Sequence, residues 1–128
     1  MRFAWLALGA ALLGAAASAQ PAPSPQAAAS AIAEAMQGQL PMETNGIAMR
    51  RVHAEGDMLV VTVELPASAS DHDRSEYVRG FIAGACDTQP NPLFESRVRL
   101  RIDTYTQSSA PRRSEVFTRC PAAATGDF

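Results

Sequence analysis

The chain contains no lysine; all eleven of its cationic side chains are arginine. Cysteine is nearly as scarce, with only Cys86 and Cys120, and histidine is limited to His53 and His72. These shortages exclude several kinds of chemistry. No CxxC pair is present and neither cysteine sits in a nucleophile signature, so thiol catalysis has no support in the sequence. GxSxG, HExxH, SxxK and glycine-rich phosphate loops are also missing, and with them the hydrolase, metalloprotease and nucleotide-handling routes that need those spacings.

What is present begins with the leader, MRFAWLALGAALLGAAASAQ. One positive residue, Arg2, precedes an apolar run from Phe3 to about Ala17, and Ala17-Ser18-Ala19 supplies the small side chains that signal peptidase requires. The reading is therefore a signal peptide over residues 1–19, cleaved before Gln20. The run is too short and too rich in alanine and glycine for a stable membrane anchor, which needs about 20 strongly apolar residues. No cysteine lies near the cleavage point to carry a lipid. Residues 20–24 read as a flexible linker, 25–122 as one domain and 123–128 as a flexible tail.

Export bears on the two cysteines. In an oxidising compartment a lone pair is expected to join, so Cys86 and Cys120 are assigned to one disulfide. After cleavage ten arginines face thirteen acids, which argues against nucleic acid as a partner. Exclusive use of arginine fits bidentate capture of phosphate or carboxylate, but compositional bias in an alanine-rich chain is the favoured account. Six of the arginines fall at or after position 97, so that end carries a local positive field.

Along the domain, Ser24-Pro25 marks a helix start, and Ile32, Met36 and Leu40 give the helix a thin apolar stripe ended by Pro41. After a loop with Asn45-Gly46 as its turn signal, residues 47–66 read as two strands joined around Glu55-Gly56-Asp57. Leu59, Val61, Val63 and Leu65 alternate clearly in the second, whereas Arg50, Arg51 and His53 blur the first. A second helix starts near Asp71; Val78, Phe81, Ile82, Ala85 and Cys86 form one face of it. In RVRLRIDTYT the pattern is a strand with Val98, Leu100, Ile102 and Thr104 inside and Arg97, Arg99, Arg101, Asp103 and Tyr105 outside. A loop of about QSSAP leads to a fourth strand with Val116, Thr118 and Cys120 inside and Phe117 outside beside Glu115 and Arg119. The expected fold class is α+β: a small single domain, α-β-β-α-β-β, with an antiparallel sheet of about four strands, two helices on one face and one disulfide.

The candidate binding surface is the arginine ladder: Arg97, Arg99, Arg101, Tyr105, Phe117 and Arg119. Guanidiniums repeating along one strand face could meet an acidic protein or an anionic envelope component such as lipopolysaccharide phosphates. An ordinary solvated sheet face, with Arg99 or Arg101 paired across strands to Glu115, is the competing account. No catalytic residue, metal ligand set or cofactor is assigned. The alternative is a small envelope enzyme or metal-binding protein using His72, Asp71, Asp73 and His53, although acids at a helix start are favoured for capping alone.

Leu40-Pro41, the hairpin AEGDMLVVTVELP, a helix ending in Cys86, an arginine-rich strand and a last strand ending in Cys120 together resemble small exported bacterial two-cysteine proteins of unknown function. That resemblance implies export and a disulfide, and no activity. The functional expectation is a periplasmic or secreted, non-enzymatic binding domain of inhibitor, immunity or accessory envelope type, without a membrane anchor once the leader is removed.

Overall fold

The computed structural model describes residues 22–88 and 90–121. The signal peptide and the tail expected from the sequence lie outside these residues.

Helix α1 (Pro25–Gln37) starts where its cap predicts: the Ser24 side chain accepts the Ala27 N–H, and proline occupies the first turn. It ends at Gly38, before Leu40 and Pro41. Its most buried residues are Ala28, Ala29 and Ala33, while Ile32, Met36 and Leu40 are only partly buried around them. Alanine lets the helix backbone lie close against strands β2 (Ile47–Glu55) and β3 (Met58–Glu64). The alanine face, not the larger stripe, is the contact that places the helix.

Ahead of β2, where the sequence predicts a loop, the chain forms a strand, β1 (Met42–Thr44). Asn45 and Gly46, with φ of 53° and 78°, make the two-residue turn that pairs Thr44 with Ile47. Positive φ at both central positions suits this turn to the twist of a hairpin. Within β2 a bulge at Arg50 changes the phase of the alternation. Met49 pairs with Val63 before it and Val52 with Val61 after it, so both keep to the same face although they are three positions apart.

Helix α2 (Asp71–Ala85) follows, then one turn of helix, α3 (Pro92–Glu95), and strands β4 (Arg99–Thr106) and β5 (Ser109–Arg113). The five strands are ordered β1-β2-β3-β4-β5. The α+β class with one disulfide and both long helices in one core is as expected, but the sheet has five strands, not about four, and it is mixed. β3 and β4 are parallel, Leu59 beside Leu100 and Val61 beside Ile102, because α2 carries the chain back across the sheet between them. The hairpin loop is Gln107-Ser108; Ala110 and Pro111 belong to the edge strand, where a missing N–H costs no ladder bond.

The core lies on the helix-covered face: Val52, Leu59, Val61, Val63, Leu65, Val98, Leu100 and Ile102 from the sheet side, the α1 alanines, and Ile82 and Cys86 from α2. Cys86 joins Cys120 with Cα atoms 5.9 Å apart. Ala85, expected on the inner face of α2, is exposed.

The last segment corrects the sequence reading. Asp103 pairs with Arg113 and Thr104 with Arg112, and strict continuation would set Val116 opposite Leu100. Instead Phe117 occupies that place, exchanging both backbone hydrogen bonds with Leu100. One extra residue after β5 exchanges the facing of Val116 and Phe117, while Cys120 still reaches the core through its bond to Cys86. Phe117 is therefore buried at 7 % exposure and Val116 is exposed at 42 %.

Candidate functional site

The uncovered face of the sheet carries Arg99 and Arg101 of the arginine ladder, and both are paired with acids. Arg101 donates from Nε and Nη2 to the two Asp103 carboxylate oxygens at 2.8 and 2.9 Å and lies 3.5 Å from Glu55. Arg101 and Asp103 are buried, lying over Val60, which is wholly buried without a helix above it. Arg99 pairs with Asp57 at 2.8 Å, and neither arginine reaches Glu115. His53 Nε2 meets Glu55 at 2.8 Å, and that bond holds the Glu55 carboxyl below its ordinary range. Tyr105 shares Glu64 with Arg50.

The six residues predicted as one binding surface do not form one. Arg97 precedes β4 with a φ of 60°, Arg101 is buried, and Phe117 is on the opposite face. Arg97 and Arg119 are exposed and have no ion pair among the described residues. The residues of the metal-binding alternative are likewise dispersed. Asp73 closes a capping box with Ser70, Asp71 pairs with Arg112, and His53 is on the uncovered sheet face. Among the described residues no group of three or more potential ligands could hold a metal ion.

The structure instead brings together residues that the sequence left apart. Arg74, Val78 and Ile82 follow one another at four-residue spacing on α2 and face β4 and β5 across a cleft of about 470 Å³. Ile102 and Phe117 complete an apolar floor, and Pro121 closes one end. The rim is polar: Ser75, Ser114, Glu115, Arg79 paired with Glu76 at 3.1 Å, and Asp71 paired with Arg112 at 2.5 Å. The cleft exists because α1 presents alanine to the sheet at one side, whereas α2 presents larger side chains and no element overlies β5 at the other. The edge strand itself is short, fully exposed and interrupted by Pro111, which blunts it as a template for another strand.

At the floor of the cleft Arg74 is buried to 7 % exposure. Its Nη1 donates to the Thr104 carbonyl at 2.8 Å and more weakly to Thr104 Oγ1, and its Nη2 donates to Ser109 Oγ. The helix is thus fastened to the β4–β5 hairpin through one guanidinium. Sequence reasoning missed this residue. The available signal was a cation in register with Val78, Ile82 and Cys86 on the stripe that faces the sheet.

Three solved structures share the architecture. The pilotin EpsS of the type 2 secretion system of Vibrio vulnificus superposes with a TM-score of 0.64 at 15 % identity, over 81 % of this chain and 94 % of that one. The fold is pilotin-like. The type II secretion pilotin AspS of Vibrio cholerae gives 0.62 at 13 % identity, over 74 % and 89 % of the two chains. A protein of Pseudomonas aeruginosa described as secreted gives 0.51 at 17 % identity, over 81 % and 98 %. No protein-family model and no curated protein matches the sequence. At identities this low, the likeness is one of fold alone.

Proposed function

We propose that this chain is an exported, non-enzymatic accessory protein of the bacterial envelope, acting in the manner of a pilotin by holding an apolar segment of a protein partner in the cleft between α2 and β5. The observation that carries the reading is the cleft itself: Val78, Ile82, Ile102 and Phe117 form an apolar floor within a polar rim, at an open end of the core. Few convergent polar groups around apolar walls are what a binding site needs. The volume suits a few side chains of a peptide segment, and arginine at floor and rim favours a segment that also carries acid. Export is supported by the leader and by the disulfide, which belongs to an oxidising compartment. Among the described residues no helix is long and apolar enough to cross a membrane. The pilotin-like fold supports a place beside a secretion machine.

The test is site-specific photocrosslinking in the native envelope. A benzoylphenylalanine at Ser75, on the cleft rim, is expected to capture one discrete envelope protein, and the same group at Arg51, on the uncovered sheet face, is not. Adding Val78→Asp, at a half-buried position of the cleft, to the Ser75 variant should abolish the product while circular dichroism shows a folded domain. Equal capture from both positions, or none from Ser75, would reject the cleft.

A further inference from the structure

The guanidinium of Arg74 is a buried cation whose hydrogen-bond partners are all neutral. Its hydrogen bonds go to a carbonyl and two hydroxyls, and no carboxylate lies within ion-pair distance among the described residues. Every other arginine around the cleft has an acid at hand: Asp71 for Arg112, Glu76 for Arg79, and Glu55 for Arg113, whose charge contributes to lowering the Glu55 carboxyl. Glu115 also lines the cleft, at its exposed rim, and makes no ion pair. A buried charge without a counter-charge is costly, and proteins remove that cost by pairing it. An arginine has five N–H donors in a rigid fork, and the bonds to Thr104 and Ser109 leave some of them unused.

Resting on the cleft reading above, we propose that Arg74 is the specificity anchor of that cleft and receives a carboxylate, the side chain of an aspartate or glutamate that lies between apolar residues in the partner segment. Val78, Ile82 and Phe117 take the flanking apolar side chains, and the acid reaches Arg74 on the floor between α2 and the β4–β5 hairpin. The positions along α2 set the spacing: Val78 is one helical turn beyond Arg74 and Ile82 is two. A partner with apolar groups alone would leave the guanidinium buried and unpaired, and would be rejected. The apolar floor supplies contact area, and the single charge supplies selection.

The experiment titrates the isotopically labelled, disulfide-intact protein with two blocked peptides, acetyl-SLLAELLS-amide and the same peptide with glutamine for glutamate, followed by amide and guanidinium NMR shifts. The glutamate peptide is expected to bind about tenfold more tightly, as a charge-assisted bond would give. Its largest shifts should fall on the Arg74 Nε–H and on Val78, Ile82 and Phe117. Arg74→Gln should reduce the glutamate peptide to the affinity of the glutamine peptide, and Arg74→Lys should restore part of the difference. Because Arg74 also fastens α2, the comparison of the two peptides on the unaltered protein decides the matter even where a variant fails to fold. Equal binding of both peptides in the cleft overturns the anchor and leaves the cleft reading standing. Binding of neither peptide, together with failed crosslinking at Ser75, removes both. Octanoate bound in preference to the glutamate peptide would overturn the assignment to a protein segment and point to a lipid acid.

Discussion

Val116 and Phe117 are adjacent apolar residues that meet opposite environments. Phe117 packs into the core beside Leu100, and Val116 faces solvent. Phe117→Ala should therefore cost about 3 to 4 kcal/mol, in the range for truncating a buried aromatic. Val116→Ala should change stability by less than about 0.5 kcal/mol. Urea denaturation of the two variants checks the register directly, since the alternation expected from the sequence reverses their order. Arg101 behaves like Phe117 in this respect: what reads as an exposed ladder rung is a buried partner of Asp103. Arg101→Glu would place three carboxylates together and should unfold the domain, whereas Arg97→Glu, at an exposed position, should leave it folded. Far-ultraviolet circular dichroism distinguishes the two.

At the level of elements, the helix starts were legible and the strand registers were not. Ser24-Pro25 and the acids Asp71 and Asp73 are local signals; in the structure Ser24 caps α1 and Ser70 with Asp73 closes a capping box on α2. In the second cap the Ser70 N–H donates to the Asp73 carboxylate at 2.8 Å, and this bond, ahead of the one from the Ser70 hydroxyl, draws that carboxyl below its ordinary 3.8. A carboxyl lowered in the folded state stabilises it above its unfolded value, and the gain disappears as pH falls through the folded value. Glu55, lowered from 4.5 first by its hydrogen bond to His53, acts in the same direction. Stability should therefore fall between about pH 5 and about pH 3, and Asp73→Asn should flatten that fall. Ser70→Ala, which removes one half of the capping box, should cost about 1 kcal/mol at neutral pH. Thermal denaturation across the pH range tests both. Asn45-Gly46 is a further element signal, read from the sequence alone as the turn of a loop. That dipeptide marks a two-residue hairpin, and it places β1 opposite β2.

At the scale of the whole molecule the disulfide is the long-range constraint. It joins the C-cap of α2 to the segment that follows Phe117, closing a separation of 34 residues beside the cleft. Reduction should remove about 3 to 4 kcal/mol in the chain-entropy model. Measured with and without dithiothreitol, the urea midpoint should drop sharply, and peptide binding in the cleft should weaken with it, because the bridge holds Cys120 next to Pro121, which lines the cleft. Conditions that keep the fold yet open the bridge would separate the two effects.

Sequence alone determined the features whose causes lie within a few residues: the caps, the two tight turns, the alternation of β3 and β4, and a cysteine pair suited to an oxidising compartment. The tertiary structure decided what depends on partners distant in the chain. Arg50 shows the difference: its bulge becomes visible only when Met49 and Val52 are both set against β3. The parallel pairing of β3 and β4 follows from where α2 lies, and the facing of Phe117 from one extra residue measured against Leu100. Arg74 acquires its meaning in the same way. Its charge is written in the sequence, but the lack of a carboxylate within ion-pair distance among the described residues is a property of the fold, because only packing establishes which partners a buried group has.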